Sequence, residues 1–429
     1  MEDFFDVRPV DEARKVLLAS LLEVTGTERN ALRHEEVGLL SALGRVLAID
    51  VISTEDLPPH RRSTVDGYAV RAADTHGATE ALPSLLSLVE DIPMGAMPTA
   101  PLAPGQCSRI PTGGALPEGA DACVMVEHTD MLDEGTVLVQ RSVATGENTM
   151  QRGEDMQAGE TVVRAGKVLT PFDIGALAAL GLSKVPVVKK PVVAVISSGD
   201  EIVPPCRAPL PGQVRDINSY SLSASLASLG AEPVPMGIAG DTYESLRQMV
   251  ESALATAHAV VLSGGSSVGA RDLAVKVLND LGPPGVLVHG VAVKPGKPVV
   301  LAVCRGKPVF GLPGHPVSAL VAMDLFVRYT LNNMIGAATP QADTPRRLAT
   351  AQEAFVIARL ARNLSSAPGR EDHVRVALTE RDGVLYAEPV LGKSGIISTM
   401  VRSDGEVVIP SESEGLLAGS AVRVRLPRF

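Results

Sequence analysis

The chain reads as a multidomain α/β plus β protein, with a doubly wound α/β domain that follows a β-rich domain and precedes a small β domain. Three observations predict this. From Pro191 onward, apolar runs of strand length alternate with stretches of helical periodicity, the pattern of a parallel sheet covered by helices on both faces. Over 81–141, and again over 348–429, short strand-like runs lie between Gly and Pro punctuation. At 429 residues the chain is too long for one typical core.

In order, residues 10–24 (VDEARKVLLASLLEV) place apolar side chains at helical spacing, and a second helix is predicted over about 36–47. Pro58 and Pro59 stop regular structure, and Arg61, Arg62, Ser63, Thr64 and Asp66 crowd a loop before the strand-like GYAVRA. Asp66-Gly67 reads equally as a site and as a turn, since Asp and Gly favour turns for local backbone reasons. Thr112-Gly113-Gly114 is a glycine loop suited to phosphate. Residues 146–183 return to strand and helix; Arg152, Glu154 and Asp155 cluster charge there, with a solvated turn as the default reading. VVAVIS, EPVPMGI and 259–262 are predicted strands, and 219–229 and 242–254 predicted helices. Residues 340–347 read as a linker. The alternating strands that follow (DHVRVALTE, VLYAEPV, AVRVRLP) fit a small barrel or sandwich, with Arg370, Arg375, Lys393, Ser394, Ser398 and Arg402 as its functional points.

Composition narrows the function. The net charge of -10 disfavours general nucleic-acid binding and leaves room for a local basic pocket. No apolar run approaches the roughly 20 residues of a membrane span. The acidic opening MEDFFDVRPVDEARK lacks a secretory apolar region, which predicts a cytoplasmic protein. Cys107, Cys123, Cys206 and Cys304 are scattered without CxxC spacing, so they read as buried small hydrophobes rather than zinc ligands or a disulfide framework.

The chemistry concentrates in 258–319, where HAVVLSGGSSVGARD, VAVKPGKPVVLAV and KPVFGLPGHPVSAL each run from an apolar strand into a loop. Gly264, Gly265, Ser266 and Gly269 form a glycine turn before a helix predicted to start near Arg271, an arrangement whose backbone N–H groups suit an anion. Ala270 and Arg271 stand where a P-loop needs Lys and Ser/Thr, so no Walker lysine follows, and such a turn is as often a packing turn. Lys294 and Lys297 sit in KPGKP, where two prolines hold two ammonium groups on a stiff segment; an isolated pair of this kind is more often solvated surface. Glu201, Asp241 and Asp272 each follow a predicted strand and so share one sheet edge. A divalent cation bridging carboxylates to phosphate would explain acids beside lysines, while helix capping explains Asp241 equally well.

Seven segments in this order, STVDGYAVRAADT, RIPTGGALPEGADACVM, QRGED, SSGDEI, LSGGSSVGARD, VKPGKP and GLPGHPVSAL, resemble the molybdopterin molybdenumtransferases, relatives of the gephyrin E domain. The resemblance spans nearly the whole chain. It implies an elongated region from 1–56 and 146–183, an inserted β-rich domain at 57–145, a molybdopterin-binding domain at 184–335 and a C-terminal β-barrel at 340–429. It also implies a homodimer whose site combines the α/β domain of one subunit with the inserted domain of the other. The implied substrates are adenylylated molybdopterin and molybdate or tungstate, with Mg²⁺ as cofactor, AMP as product and a molybdopterin adenylyltransferase as a further partner; neither nucleic acid nor membrane is implied. By the same resemblance Lys294, Lys297, Ser318, Arg370 and Ser398 hold the oxyanion, and Pro313, His315 and Pro316 belong to its turn. Asp66, Glu201, Asp241 and Asp272 are the catalytic acids, Asp241 and Asp272 carry the metal, and Thr112 and Arg152 contact substrate. The chain departs from the family pattern at His315, where Asn is commoner, and at Gly290, where Lys or Arg is common; an altered oxyanion preference, such as for tungstate, follows as a hypothesis. The alternatives are the adenylyltransferase itself, which resembles only the α/β domain, a non-catalytic pterin-binding scaffold, and an unrelated phosphate-binding α/β protein, which the ordered set of motifs disfavours.

Overall fold

The computed structural model describes residues 7–25, 34–264, 268–336 and 354–427. The chain divides into two compact units, one of Met1–Ala48, Gly166–Pro171 and Lys184–Phe429, the other of Ile49–Ala165 and Phe172–Ser183.

In the first unit, helix α1 (Val10–Thr25) buries Val10, Ala13, Leu17 and Leu21, a spacing of three and four residues that puts one stripe on the core. The helix expected over 36–47 does not form. Instead His34–Gly38 is a strand paired antiparallel with Lys184–Val188, and only Leu39–Ala42 makes a helical turn. Strand pairing has overridden local periodicity, and Gly44, at φ +73°, closes the turn.

The α/β domain contains β1 (Val192–Ser198), α2 (Asn218–Ser228), β2 (Glu232–Ala239), α3 (Tyr243–Thr256), β3 (Ala259–Gly264) and α4 (Val268–Asp280). It continues through β4 (Gly285–His289), β5 (Val293–Lys294), β6 (Val300–Cys304), β7 (Lys307–Leu312) and α5 (Pro316–Ala322). Six strands form the sheet in the order β2-β1-β3-β7-β6-β4. The first four are parallel, as the alternation of strands and helices requires; β6 runs antiparallel to both neighbours, so the sheet is mixed rather than purely parallel. A two-residue turn, Arg305-Gly306 with φ +51° and +76°, makes the β6–β7 hairpin, because positive φ at both positions matches the strand twist. Side chains of β1 and β3 alternate between two cores. Val193, Val195, Ala259 and Val261 face α1 and α2, while Ala194, Ile196, Val260 and Leu262 face α3 and α4. Thr242 caps α3 by accepting from Ser245 N at 3.3 Å, so the cap falls one residue beyond Asp241.

The last domain is a closed five-stranded barrel of β8 (Phe355–Leu360), β9 (Glu371–Arg381), β10 (Val384–Pro389), β11 (Gly405–Ile409) and β12 (Ala421–Arg425). Its order is β9-β10-β8-β12-β11, and β11 returns to β9. Closure leaves no free edge among these strands except where β5 pairs parallel with the start of β9, Val293 opposite Glu371 and Lys294 opposite Asp372. The linker at 340–347 lies outside the described residues.

The second unit carries a six-stranded sheet. Gly67–Val70 pairs in it between Ala122–Met125 and Gln106–Ile110, with Tyr68, Val70 and Val124 on one core and Ala69, Ile110 and Cys123 on the other. Cys107, Cys123 and Cys304 are buried as expected, and burial pushes the Cys107 thiol up to about 12; Cys206 is exposed.

His373 of β9 is buried between two acids, Glu406 at 3.3 Å from Nδ1 and Glu371 at 3.6 Å from Nε2. Burial alone would lower its pKa, but the two carboxylates prevail and raise it to about 9 from an ordinary 6.5. A raised folded-state pKa stabilises the fold fully below 6.5 and loses that contribution as pH climbs through 9. Denaturant unfolding of the wild type should therefore show stability falling between pH 6.5 and 9. The same titration on His373→Gln should lack that component, and an unchanged profile would remove the charged histidine from the account.

Candidate active site

In the first unit, a pocket of about 740 Å³ is lined by Lys294 at the end of β5 and Lys297 just after it, by Pro313 and His315 of the β7–α5 turn and Ser318 in α5, and by Arg370 at the mouth of β9. Lys393 and Ser394, from the loop after β10, complete its wall. The sequence therefore places these candidates on three separate stretches, and the fold brings them to one cavity.

Two of the cations share a buried partner that sequence reading missed. Asp372, whose side chain is only 4% exposed, accepts from Lys294 Nζ at 3.4 Å and from Arg370 Nε at 2.9 Å. The register of β5 against β9 sets Lys294 beside Asp372, and Arg370 precedes Asp372 by two residues on the same stretch. A visible signal existed: an acid at the start of a strand whose alternation predicts burial.

His315 stands at the N-cap of α5 but makes no side-chain cap bond. Its Nδ1 instead meets Ser394 Oγ at 2.9 Å, and Val317 N donates to Ser394 O at 3.1 Å, so the histidine pins the barrel loop to the turn. Gly290 adopts φ +108°, a conformation that L side chains rarely enter, which accounts locally for glycine there. Ser398 opens a four-residue helical turn and does not line this pocket.

A buried polar network supports the turn from below. Asn218 Nδ2 donates to Ser263 Oγ at 2.7 Å and to Gly314 O at 2.8 Å. Asp216 accepts from Ser197 Oγ at 2.9 Å and from Ser219 N at 3.0 Å. These bonds tie β1, β3 and α2 to the Pro313-Gly314 segment, so the turn is fixed against the sheet rather than swinging on the surface.

Glu201 and Asp241 follow the parallel strands β1 and β2 at their carboxyl ends, whereas Asp272 lies within α4. Asp241 and Asp200 bond reciprocally: Asp241 N donates to Asp200 Oδ1 at 3.1 Å and Asp200 N to Asp241 Oδ2 at 3.5 Å. Asp200 was not singled out from the sequence. Glu201 and Asp272 are exposed. Among the described residues, no group of three or more His, Cys, Asp or Glu side chains is placed to hold a metal ion. At Gly264 a Cβ would fall 2.2 Å from Ser198 O, so only glycine permits this approach of β3 to β1. Gly265 and Ser266 lie outside the described residues. Helix α4 opens at Val268, three residues before the expected start, so Gly269 is helical rather than part of the turn. The burial of Val277 and Leu278 farther along α4 offsets the roughly 1 kcal/mol that a helical glycine costs.

In the second unit, Asp66 Oδ1 accepts from Thr112 N at 2.7 Å and Thr112 Oγ1 at 3.0 Å. The backbone bond first, and the hydroxyl second, hold the Asp66 carboxyl below its ordinary range. Gly67 follows because a Cβ there would meet Val124 O at 1.9 Å. Arg152 pairs with Asp56 at 2.8 Å, and Asp56 also accepts from Ala158 N at 2.9 Å, an anchor that the charge cluster alone did not reveal.

The α/β domain and the closed barrel together line a pocket rich in cationic side chains. Comparisons with known proteins place this architecture. Family models match the MoeA N-terminal region (domain I and II) over 8–181, a probable molybdopterin binding domain over 194–333 and the MoeA C-terminal region (domain IV) over 357–426. Molybdopterin molybdenumtransferase 2 of Mycobacterium tuberculosis is 34% identical over 92% of this chain and 95% of its own. The Bacillus subtilis molybdopterin molybdenumtransferase is 31% identical over 92% and 90%. A solved molybdopterin biosynthesis moeA protein of Pyrococcus horikoshii OT3 aligns with TM-score 0.78 and 32% identity, covering 98% of this chain and all of that one. The chain belongs to the MoeA family.

Removing the shared counter-ion should loosen the pocket. Asp372→Ala is expected to lower the unfolding free energy by about 1–3 kcal/mol, the range for a buried hydrogen-bonded group. Urea titration checks this, and a change within about 0.5 kcal/mol, as for an ordinary surface substitution, would deny Asp372 the role.

Proposed function

We propose that the chain is a molybdopterin molybdenumtransferase that inserts molybdate into adenylylated molybdopterin and releases AMP. The observation that carries this reading is the convergence of Lys294, Lys297, Ser318 and Arg370 on one cavity held in place by a buried carboxylate. Both substrates are anions, so preorganised cations supply the stabilisation that the reaction needs, and no activated serine or cysteine nucleophile is required. Lys294 and Arg370 neutralise the oxyanion, Lys297 and the Ser318 hydroxyl orient it, and the His315 turn closes one side. Asp372 keeps two of the cations from collapsing onto the phosphates of the other substrate.

The residues at the sheet edge fit Mg²⁺. Asp241 and its partner Asp200 offer hard carboxylate oxygens at a solvent-facing edge, which suits an ion that keeps several of its waters. These two carboxylates would hold it, no third such side chain among the described residues being placed beside them, and bound there it would neutralise phosphate charge. Gly264, at the end of β3, would let the pyrophosphate approach the backbone there. Asp66, Thr112 and Arg152 would contact substrate from the partner subunit of a homodimer. A cytoplasmic setting and delivery of the adenylylated substrate by a molybdopterin adenylyltransferase complete the reading. No helix among the described residues is long and apolar enough to cross a membrane.

The test is AMP release from adenylylated molybdopterin with Mg²⁺, supplied with molybdate, with tungstate or with neither. The wild type should release AMP in an oxyanion-dependent way, and Asp272→Ala and Lys297→Ala should each lose about 100-fold or more, as for other preorganised charge-stabilising groups. Tungstate matching or exceeding molybdate in the wild type, with the order changed by His315→Asn, would tie His315 to oxyanion preference. Release without any oxyanion would contradict the reading, and tight pterin binding without release would favour a scaffold.

A further inference from the structure

A second cavity, about 570 Å³ in volume, lies in the first unit where Leu320, Val321 and Arg328 approach the outer face of the barrel at Arg375, Met400 and Glu406. Residues on β9 alternate between faces, so His373 and Arg375 share the outer one, opposite Asp372 and the core residue Val376. Register extends this face across the barrel, with Arg375 opposite Glu406 and Glu406 opposite Arg425.

The charges on this face are nearly all paired. Glu406 Oε1 accepts from His373 Nδ1 at 3.3 Å and from Arg425 Nη1 at 3.0 Å; Arg328 pairs with Asp324, and Glu371 stands 3.6 Å from His373. Arg375 is the exception. It is 8% exposed, yet neither its Nε nor its Nη1 has a hydrogen-bond partner, although Glu406 stands opposite it in register. Glu406 is already occupied by two other cations, so the carboxylate nearest in register does not satisfy the guanidinium. Arg328 Nε, on the facing helical segment of the same cavity, is likewise buried without a partner.

A buried guanidinium with orphaned donors is a costly arrangement for a fold, and one that an anion relieves. We infer that this cavity is an anion-binding site, in which Arg375 takes the oxyanion group of a small ligand whose apolar part lies against Leu320, Val321 and Met400. Arg328 lends a second guanidinium at the opposite wall. The ligand class is a compact organic phosphate or carboxylate, since the donors demand an oxyanion and the walls between them are aliphatic. The site is separate from the Lys294–Arg370 pocket in its chemistry, and the inference does not rest on the transferase reading. Arg375 also borders that first pocket, so the test has to distinguish the two.

The probes are inorganic phosphate and phenyl phosphate, titrated calorimetrically into the full chain carrying Lys297→Ala to weaken the first pocket. Saturable binding is expected, with phenyl phosphate at least about tenfold tighter because its ring adds buried apolar area. Adding Arg375→Met should weaken both probes by at least tenfold, a loss of about 1.4 kcal/mol. Arg375→Lys, which keeps the charge but not the guanidinium donors, should weaken them by a smaller factor and guards against a variant that fails to fold. Thermal melts supply an independent readout: phenyl phosphate should raise the melting temperature of the Arg375-containing chain and leave that of Arg375→Met unmoved. No saturable binding, binding indifferent to Arg375→Met and Arg375→Lys, or equal affinity for the two probes would each overturn the assignment.

Discussion

Lys294 and Arg370 reach the same buried carboxylate because a two-residue strand, β5, is hydrogen-bonded in parallel register to the first residues of β9. The pairing joins the α/β domain to the barrel by main-chain bonds and fixes Asp372 between the two cations. A one-residue slip would turn Asp372 to the other face and leave both cations without their partner. The remainder of the pocket depends on this register, since Lys297 follows Lys294 through a proline-restricted segment and Ser394 is held by His315 from the opposite side. Electrostatic attraction supplies less here than geometry does. Lys294 is 57% exposed, so screening limits its pair energy, whereas the buried carboxylate fixes where the two cations stand.

The floor of the site is stiff for a related reason. Asn218 satisfies Ser263 and the Gly314 carbonyl at once, and Asp216 gathers Ser197 and Ser219. Polar groups buried at the end of a sheet must find partners, and here one of them, the Gly314 carbonyl, belongs to the turn between Pro313 and His315. The same accounting leaves Asn218 Oδ1 open beside its engaged amide nitrogen, and on the barrel's outer face it leaves the Nε and Nη1 donors of Arg375 without hydrogen-bond partners.

Much of the fold was legible in the residues. The alternation after Pro191 gave the doubly covered sheet, because β1 and β3 are continuous apolar runs buried on both faces. The mixed direction of β6 was not legible: a hairpin turn at Arg305-Gly306 and a parallel crossover both follow an apolar run. The helix expected over 36–47 failed because its first residues pair with Lys184–Val188, a contact about 150 residues away that no local pattern records. Of the site, the lysines, His315, Ser318 and Arg370 were marked by their loops, and the fold gathers them. Asp200 and Asp56 were missed because each looks like an ordinary turn acid until its partner arrives from a distant stretch, whereas Asp372 carried a signal in the alternation of its strand. Ser398 shows the reverse: a serine in a polar segment, attractive in sequence, that does not line the pocket.

The central claim is that the cations organised by Asp372 form an oxyanion site, and anomalous diffraction from crystals soaked in molybdate tests it most directly. The expected result is a molybdenum peak within hydrogen-bonding distance of Lys294, Lys297 or Arg370, absent from crystals of Lys297→Ala and weakened in Asp372→Ala. A peak elsewhere on the molecule, or a peak in the pocket indifferent to both substitutions, would contradict the account.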